Sequence, residues 1–205
     1  VQQLLGHPCL ALASYPCETL IHRRLQYMKH NRTATLIAII VIAAQAISMA
    51  PSNAATKGYR YWGYFQAAPG ATTWTAAMTG PTVDIKDGAV EGWSFVFSND
   101  DIPSVAPSVK ANFATICANT KPTSGKKRIA LVVDFGNKAY APAGEKVQKT
   151  ITRCVTTAMS SQGIDVLGQV LKVRADKSGL ICGFNGYPKK ECGVEIKTPA
   201  ALVKK

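Results

Sequence analysis

Arg128–Phe135 reads RIALVVDF. Its Ile, Leu and Val run carries no polar alternation, so neither side of it suits water. Such a strand sits at the centre of a sheet covered on both faces. Gly136 ends it. Outward from there, Gly92–Phe97 reads GWSFVF and predicts a second strand, with Trp93, Phe95 and Phe97 on one core-facing side. Tyr59–Gln66, YRYWGYFQ, predicts a third. Alternation there sets Tyr59, Tyr61 and Phe65 against Arg60, Trp62 and Tyr64, so both of its sides are aromatic. Ser178–Phe184 predicts the last strand, and residues after Gly193 read as a tail.

Between the strands, helical spacing recurs. Val109, Phe113, Ile116 and Cys117 predict a helix over Ser108–Ala118. Pro142 and Glu145 lead into a stripe of Val147, Ile151, Cys154, Val155 and Ala158, a helix running to about Ser161 and stopped by Gly163. Asp165–Val173 predicts a second short helix. Strands alternating with helices imply an α/β fold, a single mixed sheet with helices packed on it.

Composition is not uniform along the 205 residues: all three histidines lie at positions 7, 22 and 30. Residues 55–205 hold 20 Lys and Arg against 11 Asp and Glu, a net charge near +9, and no histidine. That excludes Ser-His-Asp and Cys-His catalysis and any His-containing metal site in this part of the chain. Ahead of it, Lys29 and Arg32, an apolar run from Thr35 to Ala44, and small residues at Ser52 and Ala54 follow the order of a secretory signal peptide over 28–54. The apolar run is shorter than the roughly 20 residues a spanning helix needs. Residues 1–27, ahead of Met28, read as a non-native upstream extension, residues 55–197 as a single extracellular domain, and 198–205 as a flexible tail.

Four cysteines remain beyond the export segment, Cys117, Cys154, Cys182 and Cys192. An even count in an exported chain predicts two disulfides, for which three connectivities exist. Gly183, Gly186 and Pro188 supply a turn between Cys182 and Cys192 and favour that pair, leaving Cys117 with Cys154. A four-thiolate metal site is the competing reading, and the absence of any C-x-x-C pair weighs against it.

The candidate ligand-binding residues are Arg60, Trp62, Tyr64, Trp74 and Asp134. Arg60 is costly to bury unpaired, so its side of the first strand, with Trp62 and Tyr64, is expected to face outward and stack on a flat ligand. Trp74 stands in a Gly- and Thr-rich loop, as a lid or as a plug over the sheet. Asp134 ends the central strand, where open α/β sheets place ligands, although a turn role also suits an Asp near a Gly. Asp84, Asp87 and Glu91 are the one cluster of carboxylates, and Asp87-Gly88 is a tight-turn signal. Basic residues group at Lys126-Lys127-Arg128, Lys189-Lys190 and Lys204-Lys205. Outside a cell these would meet anionic cell-wall polymers or acidic lipids rather than nucleic acid.

The run Tyr59–Phe65, with Trp74, Gly80-Pro81, Asp87-Gly88, Val90–Trp93, Val132–Gly136, Gly179–Cys182, Gly186–Pro188 and Cys192, resembles a family of exported actinobacterial proteins of uncharacterised function. The resemblance implies loci shared with energy-coupling-factor transporter components. Gly163–Leu171, GIDVLGQVL, is similar to the small C-terminal domain of cobalamin carriers, which implies a short helix followed by paired strands. Together these readings predict a secreted, non-enzymatic binding module that delivers a small organic ligand to a membrane transporter. The alternatives are a cell-surface adhesive domain contacting anionic polymer, and a hydrolase using only carboxylates, Asp134 with Glu91. No cofactor or metal ion is expected.

Overall fold

The computed structural model describes residues 56–203. The expected export segment and its upstream extension lie outside the described residues, as do Lys204 and Lys205. Among the described residues eight strands form: β1 Lys57–Ala67, β2 Thr75–Ala76, β3 Val90–Ser98, β4 Lys126–Asp134, β5 Ile151–Ala158, β6 Val173–Ala175, β7 Ile181–Phe184 and β8 Val194–Lys197. Six of them make one sheet in the order β2-β1-β3-β4-β5, with β8 sharing with β2 the outer edge of β1, while β6 and β7 form a separate pair. Only β3 and β4 run parallel; every other pairing in the sheet is antiparallel.

RIALVVDF is an interior strand as its composition demands. Ile129–Val133 are fully buried between β3 and β5. Its two sides feed separate clusters. Ile129, Leu131 and Val133 join Trp62, Trp93, Phe95, Phe135, Phe184 and Tyr187 on one face, whereas Ala130 and Val132 join Ala67, Val90, Ala111 and Cys117 on the other. A parallel β3–β4 pair needs a crossover. The chain between Ser98 and Lys126 supplies it and covers the second face with Val109, Ala111, Phe113 and Ile116. Trp74 closes the same face: its Nε1 donates to the Val109 carbonyl at 2.9 Å, and its ring fills the space where Gly92 has no side chain.

The molecule is mostly β, which corrects the expected α/β class. Among the described residues the α-helices are α1, Phe113–Ile116, and α2, Gly163–Val170, with two single 3-10 turns besides. The helix expected over Ser108–Ala118 shrinks to α1, whose start is fixed by Asn112 accepting from the Thr115 amide. The long helix expected from Pro142 to Ser161 is not formed; its second half is β5, the edge strand. Gly163 opens α2 rather than ending a helix before it, and the β6–β7 pair follows α2 closely. Residues past Gly193 are no tail either, because β8 pairs with the start of β1 over four residues. Both expected disulfides are present, Cys117–Cys154 and Cys182–Cys192. Two disulfides fit an oxidising compartment. No helix among the described residues is long and apolar enough to cross a membrane.

Candidate functional site

Strand pairing assembles an aromatic floor on the first face. Antiparallel register sets Trp62 opposite Phe95 and Tyr64 opposite Trp93. The Tyr64 and Trp93 rings stack, with centroids 4.6 Å apart and planes within 16°. Above Trp62, Tyr64 and Trp93 opens a cleft of about 360 Å³, walled by Thr79–Pro81 on one side and Ser178–Ile181 on the other.

Each wall is held by backbone chemistry. The Pro81 carbonyl accepts from the Ile164 amide at 2.8 Å, so the first turn of α2 anchors the Thr79–Pro81 loop. Opposite, the Asp176 carboxylate accepts from the Ser178 amide and hydroxyl and from the Leu180 amide, which holds its acid below the ordinary carboxylate value. Gly179 turns there at φ +89°, a conformation that suits glycine. The Cys182–Cys192 disulfide fastens the strand that continues from this wall.

Two properties of the cleft bear on chemistry. None of its lining residues carries a formal charge. Trp62 and Trp93, only 5% and 3% exposed, each bury an indole N–H that has no acceptor. A buried donor left unpaired costs about 1–3 kcal/mol.

Behind the floor lies a buried acid. Glu91, 1% exposed on β3, accepts from the Tyr64 hydroxyl and, at 3.0 Å, from Gln66 Nε2. Gln66 also donates to the Tyr64 oxygen at 2.8 Å. Burial pushes the Glu91 acid up despite these donors and a nearby Lys127, and burial, then the Glu91 charge, pushes the Tyr64 phenol strongly up. Glu91 and Gln66 reach a second hollow of about 400 Å³, bordered also by Pro69, Thr75, Asp84 and Lys86. Lys127 is itself only 2% exposed and donates to the Ile85 carbonyl at 2.6 Å.

Of the five expected binding residues, the structure brings Trp62 and Tyr64 to the cleft and places three elsewhere. Trp62 does not project outward: it packs against Phe95, Phe135 and Phe184 and shows only one margin to the cleft. The outward assignment rested on an unpaired Arg60, and Arg60 is paired. Its guanidinium grips both oxygens of Glu191 and donates to the Tyr140 and Ala141 carbonyls. Trp74 is a plug on the opposite face. Asp134 spends its carboxylate on the Ser108 amide and hydroxyl and the Gly136 amide, a turn role. The acid pair Asp134 and Glu91 cannot flank one bond, because Glu91 is in register with Leu131 and Asp134 lies three residues on, across the sheet. Asp87 sits in the tight turn its signal implies, closed by the Ala89 amide donating to the Lys86 carbonyl, and its carboxylate accepts from the Arg128 amide.

Trp93 and both cleft walls escaped the sequence reading. Trp93 reads as core, which it also is, and the walls show only the turn signals Gly80-Pro81 and Gly179. Asp176, Cys182 and Cys192 lie close enough to share an ion, but both sulfurs are committed to the disulfide. Comparison with curated proteins and with solved structures gives no match to this chain. A family model, the SCO2322-like domain, matches residues 54–197, the whole of the sheet and both cleft walls included, and the chain belongs to that family.

Proposed function

We propose that this protein is a secreted, non-enzymatic binding module, and that its ligand is a small uncharged molecule seated on Trp62, Tyr64 and Trp93. The carrying observation is the cleft itself, an aromatic floor with no charged lining. An apolar cavity of several hundred Å³ with a few polar groups is the usual form of a small-molecule site. A charged ligand would find no counter-ion there. A flat ring would gain apolar and edge contact with the aromatic floor. Delivery to a membrane transporter extends this reading, on the resemblance to exported proteins of transporter loci. Export itself is supported by the signal-like order of residues 28–54 and by the disulfides.

Tryptophan fluorescence tests the reading. In a Trp74→Phe background only Trp62 and Trp93 emit, and titration with uncharged aromatic and glycosidic compounds should shift their emission in a saturable way. Gly80→Phe adds a ring at the cleft wall, where a Cβ has nothing within 4 Å. It should weaken binding at least about tenfold, a loss of about 1.4 kcal/mol, at an unchanged melting temperature. Unimpaired binding by Gly80→Phe would remove the cleft as the site.

A further inference from the structure

Three segments distant in sequence converge around Asn185–Lys190. Asn185 donates its amide to the Lys172 carbonyl and accepts from the Lys172 amide, both at 2.9 Å. Gln148 Nε2 donates to the Asn185 carbonyl at 3.4 Å, and the Glu145 carboxylate accepts from the Lys189 amide at 3.0 and 3.1 Å. The buried Tyr187 pins the loop from inside against Phe95 and Phe135. These bonds bring together the segments that carry Lys146, Lys149, Lys172, Lys189 and Lys190, all five of them exposed.

Their charge outweighs that of the acids beside them. Among the described residues the ion pairs are Lys57–Glu195 and Arg60–Glu191, so none of these five lysines has a carboxylate within ion-pair reach. Of the twelve Asp and Glu residues, Glu18 lies outside the described part, and only Glu145 and Glu191 fall in the converging segments. Glu191 pairs with Arg60, and Glu145, whose carboxylate accepts from the Lys189 amide, keeps its charge, leaving five lysines against one acid. Of the other basic groups expected from the sequence, Lys204-Lys205 lies outside the described residues and Lys126–Arg128 does not assemble this way. Lys127 is buried, and Arg128 stacks on Phe113 while donating to the Thr120 carbonyl.

We propose that this five-lysine patch docks a linear phosphate-bearing polyanion outside the cell. Lysines are hydrated point charges without the fork that fixes a single phosphate, so the patch reads charge density rather than one group. No large hydrophobic side chain is exposed in these segments, which removes the apolar anchor that bilayer insertion uses. Nor is any aromatic residue exposed there for stacking on bases. A flexible chain of phosphates can follow lysines spread over three segments, and its hold should weaken steeply with salt.

The test uses the full exported chain and inorganic polyphosphate as probe, with Lys149→Glu/Lys172→Glu/Lys189→Glu compared against Lys110→Glu/Lys121→Glu/Lys126→Glu. Both triple variants change net charge equally, and all six positions are exposed. The first should lose polyphosphate binding at least about tenfold, the second less than about twofold. Equal losses would reduce the effect to net charge and overturn the patch. Binding to vesicles of anionic phospholipid with none to polyphosphate would overturn the polymer. Should the first variant misfold, Lys→Gln at the same three positions carries the same expectation.

Discussion

At Gly163 a single methyl group decides a sign. Gly→Ala in a helix ordinarily stabilises by about 0.5–1 kcal/mol, because glycine loses more backbone freedom on folding. A Cβ at Gly163, however, would lie 2.9 Å from Glu91 Oε2, 3.0 Å from the Pro81 carbonyl and 3.1 Å from the Tyr64 hydroxyl. Those groups are the buried acid, its donor and the anchor of a cleft wall. Gly163→Ala is therefore expected to destabilise by about 1–3 kcal/mol. Gly168→Ala in the same helix, with nothing within 4 Å of its Cβ, should stabilise by the ordinary amount. Urea denaturation of the two variants checks both signs. Glu91 supplies a pH-dependent companion. Burial raises its acid above the ordinary 4.5, so between the two values the folded state binds more protons than the unfolded. Stability then falls as pH rises from about 4.5 through the raised value, and is level above it. Glu91→Gln keeps an acceptor for Tyr64 without the proton. The stability difference between wild type and Glu91→Gln should therefore shift against the wild type across that interval, and a difference independent of pH would refute the buried ionisation.

Among the elements, β5 tests how far pattern reading reaches. Val147, Ile151, Cys154, Val155 and Ala158 do lie on one helical stripe, yet Ile151, Thr152, Val155, Thr156 and Thr157 are β-branched, and β4 presents a ladder edge along Lys126–Val133 that only a neighbouring strand can satisfy. Tertiary demand overrode a local period. Thr152→Ala and Thr156→Ala separate the two readings: alanine would stabilise a helix, whereas in this strand each change should cost up to about 1 kcal/mol. Thermal melts decide it. The strands β1, β3 and β4 were legible because burial on one or both faces leaves an apolar run or alternation in the sequence itself. The facing of β1 was not, since it depends on Glu191, which reaches Arg60 from 131 positions away. The cleft was half legible for the same reason. Its floor is written in aromatic residues, but its walls are ordinary turns whose meeting is set by α2 and by the β6–β7 pair.

For the molecule as a whole, the two disulfides divide the labour between the faces of the sheet. Cys117–Cys154 ties the end of α1 to β5 within the second cluster, and spans 37 positions. Cys182–Cys192 spans 10 positions and secures the strand leading out of the Ser178–Ile181 wall on the first face. In the loop-entropy model they contribute about 4 and about 3 kcal/mol respectively. Stability and access to the cleft should therefore respond in opposite order. In the Trp74→Phe background, Cys117→Ser/Cys154→Ser should lower the melting temperature more, yet leave acrylamide quenching of Trp62 and Trp93 near its starting value below the transition. Cys182→Ser/Cys192→Ser should lower it less and raise quenching clearly, because the wall over the tryptophans is loosened while the sheet stays intact. Quenching that simply follows stability across the two variants would show that the cleft wall is held by the fold at large, and that the shorter bridge has no separate part in shaping the site.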